Sequence, residues 1–198
     1  MDYLNIAIDF NRFYMKGVDG LENYGIINQP NLPSAIVAAT VTVGGGTHTE
    51  WFYKTGAQIY DDIVAMISDM SARSGGHVGL DTKYKLVVGR AVYAQLIKQN
   101  SLGTETVIGM IKRSLPNLEV VVSPEYDDDA SADSGVQRMA QLIAVEVEGI
   151  PTGELGFSEK LSAGRVVPYM SHLAQKFMAG TYGAIIYRPV FVTTMLGV

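Results

Sequence analysis

The chain has 198 residues, 47% hydrophobic and only 18% charged, with 15 Lys and Arg against 20 Asp and Glu for a net charge of -5. That length supports a real core and one domain or two small ones, while the acidic balance and singly scattered basic residues argue against a sequence-specific nucleic-acid grip. No cysteine is present, which excludes disulfides, thiolate zinc sites and cysteine nucleophiles.

Met1 is not followed by a basic leader, and Asp9 and Arg12 interrupt the first apolar stretch, so no signal peptide is read. The longest apolar runs, residues 35–43 and 184–192, fall short of the roughly 20 residues that span a bilayer. Residues 3–16 read as the tail of a helix, with Leu4, Ala7, Ile8, Phe10 and Tyr14 near the helical period and Gly17 as the stop. Pro30 and Pro33 punctuate an extended loop. Residues 34–43 are β-branched and Ala-rich and break at Gly44-Gly45-Gly46. That triplet reads as a turn, since it lacks the Lys and strand-to-helix context of a phosphate cradle.

Residues 55–71 carry the clearest helical pattern. Thr55-Gly56-Ala57-Gln58 fits a capping box, Ile59, Ile63, Met66, Ile67 and Met70 line one face, and Asp61, Asp62 and Asp69 are assigned to the solvent face. Gly75-Gly76 ends the segment. A short buried strand at 85–89 leads into a helix over 90–100, with Val92, Tyr93, Leu96 and Ile97 inside. A second helix over 104–114 buries Val107, Ile108 and Ile111, and a strand follows at 118–122. Strand, helix, helix, strand predicts an α/β layer.

Residues 123–137 are acidic, small and turn-forming, and read as an exposed, mobile loop. A strand over 138–148 follows, then a turn at 151–153 and long extended segments from Gly164 onward. Ile185, Tyr187, Val190 and Val192 are expected in the core, with Pro189 at a sheet edge or bulge and Gly180 and Gly183 permitting a bend.

Chemistry-bearing clusters are sparse. Asp127, Asp128, Asp129 and Asp133 offer hard oxygen ligands for calcium or magnesium, but their spacing is not an EF-hand and a solvated loop is the preferred reading. His48, His77 and His172 lie apart, without an H-x-x-x-H or H-E-x-x-H pattern, and Ser134 lacks a nucleophile elbow. Trp51 reads as a core or interface anchor. No pattern calls for a cofactor. Two classes of function compete: a structural protein that assembles with its own copies, and a small α/β enzyme or ligand-binding module built on residues 85–122. The second lacks a phosphate loop, because only Gly89 separates Val88 from Arg90.

Two segments carry a resemblance: "GIINQPNLP" at 25–33 and "GAIIYRPVFV" at 183–192. Together they resemble the major capsid proteins of tailed bacteriophages and prophages, which share the Hong Kong ninety-seven shell fold. The resemblance implies an α+β fold. Residues 1–54 and 149–198 would form a peripheral domain that includes the end of a spine helix. Residues 55–148 would form an axial domain, a small sheet flanked by helices with the acidic loop at 123–137. It further implies a virion protein, not an enzyme, whose copies form pentameric and hexameric capsomers of an icosahedral shell around DNA. Other head proteins would be further partners, assembly would take place in the bacterial cytoplasm, and no membrane would be involved. Tyr126, Asp127, Asp128 and Asp129 would be subunit contacts. The family's N-terminal arm and extended loop precede the spine helix, so the chain is expected to be a truncated product, a crystallised fragment or a degenerate prophage gene.

Overall fold

A computed structural model of the chain describes residues 17–18, 23–99, 103–128 and 138–198. The expected helix at 3–16 lies outside them. The chain divides into two compact units, one drawn from residues 1–30 and 153–186, the other from 31–152 and 187–198. The domain boundaries read from the sequence instead fall at 54/55 and 148/149.

The larger unit is built on a mixed sheet. Its strands are β3 (Ile36–Val37), β6 (Lys83–Val88), β7 (Leu118–Val122), β8 (Met139–Val147) and β12 (Val192–Leu196), in the order β3-β12-β8-β6-β7, with β9 (Ile150–Pro151) pairing on β8. β6 runs parallel to β7 and antiparallel to β8. β12 fills the gap between β8, antiparallel, and β3, parallel. Register sets Leu86, Leu142, Ala140 and Met195 on the face that joins the main core, and Val87, Gln141 and Thr194 on the other. Burial on both faces explains why β8 reads as a near-continuous apolar run.

Helix α1 (Gly56–Arg73) lies on the core face and packs against β12 and two shorter helices, α2 (Arg90–Leu96) and α3 (Val107–Ser114). The capping box is present: the Thr55 hydroxyl accepts from the Gln58 amide, and Gln58 Oε1 accepts from the Thr55 amide at 2.9 Å. At the other end Gly75 (φ 66°) and Gly76 (φ 88°) adopt left-handed backbone, and the Gly76 amide returns to the Ser71 carbonyl at 2.9 Å. Gly44 and Gly45 likewise form the two-residue turn joining β4 (Val41–Val43) to β5 (Gly46–His48).

Asp62 departs from its sequence assignment. It is three residues after Ile59 and four before Met66, so it falls on the buried face and is only 3% exposed. Its carboxylate receives Lys54 Nζ at 2.5 Å, Trp51 Nε1 at 2.8 Å and the Ala39 amide at 3.3 Å. These partners make a buried charge tolerable. Trp51, fully buried, is therefore a core anchor. The segment carrying it is held again by Lys98, whose ammonium donates to the carbonyls of Phe52 at 2.7 Å and Trp51 at 3.2 Å. Partial burial holds that amine below its ordinary value.

Three further expectations change. α2 ends at Leu96, so Ile97 no longer follows the helical face and is exposed. The turn expected at 151–153 lies instead at Glu148 (φ 56°) and Gly149 (φ 76°), between β8 and β9. Thr152 is buried, with its hydroxyl donating to the Ala144 carbonyl, and the chain runs on extended into the next strand. Near the C-terminus, Pro189 opens a single 3-10 turn, Pro189–Phe191, rather than sitting in a sheet. Of the four residues expected in the core there, Val192 is buried, while Ile185, Tyr187 and Val190 are 40–51% exposed. The core strand is the one that follows, β12.

The smaller unit contains β1 (Gly17–Val18) paired with β2 (Asn23–Tyr24), and a long antiparallel ribbon of β10 (Gly153–Pro168) and β11 (Leu173–Ile186). The ribbon register slips four times. One slip falls where Gly156 pairs with Gly183 but Phe157 pairs with Thr181, leaving Tyr182 as the extra residue beside Gly183 at φ 80°. Gly180 stands against Ser158, where a Cβ would meet the hydroxyl. The two strands are joined at 169–172, where the Tyr169 amide donates to the His172 carbonyl at 2.8 Å and the two rings stack 4.9 Å apart.

Candidate assembly surface

The acidic segment begins as a short helix, α4 (Glu125–Asp128), packed on α2, β6 and β8. Tyr126 points inward, is fully buried and donates its hydroxyl hydrogen to Gln141 Oε1 at 2.6 Å. Burial, with Glu125 adding a smaller push, raises its phenol above the ordinary value of 10.0. Tyr126 is therefore committed to the interior and withdrawn from the contact surface assigned to it from the sequence.

Asp127 faces the first turn of α2. Its carboxylate accepts from the amides of Arg90 at 2.8 Å and Ala91 at 3.1 Å, and from Arg90 Nε at 3.1 Å. Gly89 makes the approach possible: a Cβ there would lie 2.8 Å from Asp127 Cγ. The start of this short helix carries no side-chain cap of its own, so a carboxylate 37 positions along the chain satisfies its amides. The same arrangement bears on the enzyme alternative over residues 85–122. At the carboxyl end of β6, the amides that a phosphate would use already serve Asp127. Asp128 closes α4, while Asp129 and Asp133 lie outside the described residues.

Among the described residues, no three His, Asp or Glu side chains are grouped to hold a metal. His48 stacks on Tyr53 at 3.9 Å. His77 Nδ1 lies 2.8 Å from Glu148 Oε1 at the rim of an open recess of about 290 Å³, lined also by Asp81, Lys83 and Glu146. His172 lies at the ribbon turn. The three histidines share no site. Among the described residues, no helix is long and apolar enough to cross a membrane.

The ribbon displays many exposed apolar side chains. In β10 and β11 only Gly183 and Ala184 are classed as buried among the residues described, while Leu173 is 71% exposed, Tyr182 66% and Met170, at the turn, fully. A two-stranded ribbon is marginal in water by itself. Apolar side chains displayed in this number are characteristic of interaction surfaces. Sequence reasoning expected Ile185 of this ribbon in the core, because β-branched residues read alike whether or not they are covered.

Compared with protein families, the chain matches the model of the Pa193 gp26 major capsid protein over residues 2–197. The chain belongs to this major capsid protein family. Among solved structures, the capsid of Myoviridae phage XM1 matches with a TM-score of 0.71 at 13% identity, covering 99% of this chain and 64% of that one. The capsid of an empty GTA particle gives 0.55 at 10%, covering 98% and 64%. The virus-like particle from Pyrococcus furiosus gives 0.54 at 12%, covering 82% and 57%. The family member described here therefore has the α+β fold of phage capsid subunits, and spans less than two thirds of the length of those chains. No curated relative matches it in sequence.

Proposed function

We propose that the chain is a structural subunit that packs against further copies of itself to build the shell of a tailed-phage or prophage virion around its DNA. The larger unit acts as the axial domain and the smaller as the peripheral domain. The observation that carries this reading, beside family membership, is the ribbon: an apolar, extended surface without a covering layer among the described residues of its own unit. The copies form pentameric and hexameric capsomers, assembled in the bacterial cytoplasm and joined by other head proteins, and the subunit performs no chemistry. With Tyr126 and Asp127 turned inward, contact between neighbours at the acidic segment falls to Asp128 and Asp129, near the capsomer axis. Like charges gathered there need counter-ions or basic neighbours.

Negative-stain microscopy of the purified chain over a range of concentrations tests the reading. Rings or closed particles are expected. Monomers at all concentrations overturn it.

A further inference from the structure

The distal half of the ribbon, from Ser162 to its partner Met178, differs in charge from the rest of the molecule. Its 17 residues include Arg165 and Lys176, two of the chain's 15 basic residues, and none of its 20 acidic ones. The remainder holds 13 basic against 20 acidic residues, a net charge of -7.

Arg165 and Lys176 are also badly placed for each other. Ala163 pairs with Phe177 and Val166 with Gln175, so Gly164 and Arg165 together oppose Lys176 across the ribbon. Like charges on facing strands repel. Both side chains are exposed, and neither forms an ion pair with a described residue. Around them Val166, Tyr169, Met170, Leu173 and Met178 are exposed as well. Apolar positions interspersed with unpaired cations form a surface that an acidic protein face complements.

We propose that the distal ribbon is an electrostatically matched docking surface for the acidic exterior of a second copy of this chain, with Arg165 and Lys176 supplying the positive side. This rests on the shell-subunit reading and adds the polarity of one contact to it. The second copy is the occupant because the rest of its chain, at a formal net charge of -7 outside the ribbon tip, supplies the complementary sign. The apolar side chains provide affinity, and the cations set orientation and encounter rate.

The test uses the purified chain. Self-association is followed by sedimentation velocity at salt from about 0.05 to 0.5 M, a range over which exposed charges become screened. Wild type is expected to weaken as salt rises. The double variant Arg165→Glu/Lys176→Glu should associate about tenfold or more weakly at low salt, with unchanged circular dichroism, and Arg165→Lys should retain association. Zero-length carbodiimide cross-linking of mixed isotopically heavy and light wild-type chains should join Lys176 of one copy to an Asp or Glu of another.

Equal association by wild type and the double variant, without a heavy-to-light link at Lys176, overturns the inference while leaving the shell reading standing. A wild type that never associates overturns both. If the double variant loses binding to labelled duplex DNA but keeps self-association, the surface serves nucleic acid and the proposal fails.

Discussion

Asp127 reaches across the larger unit to Arg90, taking the backbone amide at 2.8 Å and the guanidinium Nε at 3.1 Å with one carboxylate oxygen. A residue from the most acidic part of the chain is thus a tertiary cap for a helix that has none of its own. Asp127→Ala is expected to destabilise the fold by about 0.5–2 kcal/mol. Gly89→Ala, which drives a methyl group into that carboxylate, should act through the same bond. Urea denaturation of the two single variants and the double should show clear non-additivity. Independent, additive effects would mean that the cap contributes little.

The Tyr126–Gln141 bond makes the fold sensitive to alkali. Tyr126, and by burial Tyr84 as well, titrates above the ordinary value of 10.0. The folded chain therefore keeps its phenols protonated where the unfolded chain releases them. Their contribution is complete below about pH 10 and declines as pH rises toward the folded values. Tyr126→Phe loses about 1 kcal/mol at neutral pH with the missing hydrogen bond, but its stability should fall less steeply between about pH 10 and 11. Parallel pH profiles of urea midpoints for the two proteins would refute this.

Asp62 predicts a larger effect. Asp62→Asn leaves the Lys54 ammonium buried without its anion, and loss of one partner of a buried pair costs about 3–5 kcal/mol. The double variant Lys54→Met/Asp62→Asn should recover much of that loss. A double variant as unstable as Asp62→Asn alone, by chemical denaturation, would show that the Trp51 and Ala39 bonds matter more than the ion pair.

β12 gives the fourth prediction. Met195 is buried against β8 and the core. Met195→Ala should cost about 2–5 kcal/mol, whereas Val190→Ala, at a half-exposed position before the strand, should stay within about 1 kcal/mol. Truncation after Phe191 removes a strand flanked by two others and should yield aggregated or molten protein, read out by dye binding and loss of the near-ultraviolet circular dichroism signal.

Much of the larger unit was legible in the sequence because its signals are local. The Thr55–Gln58 capping box, the 59-63-66-70 spacing and the Gly75-Gly76 stop each act within a few residues, and the structure contains all three. The misreadings arose where distant parts of the chain decide the outcome. Asp62 looks like a surface carboxylate until Lys54, Trp51 and Ala39 are placed around it. Tyr126 and Asp127 sit in an acidic run whose composition says solvent, yet Gln141 and Arg90 draw them in. In the ribbon, Ile185 carried a correct strand signal and a wrong inference about burial, because strand propensity does not specify what, if anything, covers the strand.

The position of β12 has a consequence for how the protein is made. Met195 pairs with Ile36 on one side and Ala140 on the other, so the gap between β3 and β8 is closed by a segment translated long after its neighbours. During synthesis β8, an apolar strand, emerges with one backbone edge unpaired and waits while the whole ribbon follows, an interval on the order of seconds at roughly 5–20 residues per second. Through that interval nascent chains on one messenger display matching unpaired edges to each other. Cellular yield of this protein should therefore depend on translation speed and chaperone supply more than its final stability would suggest.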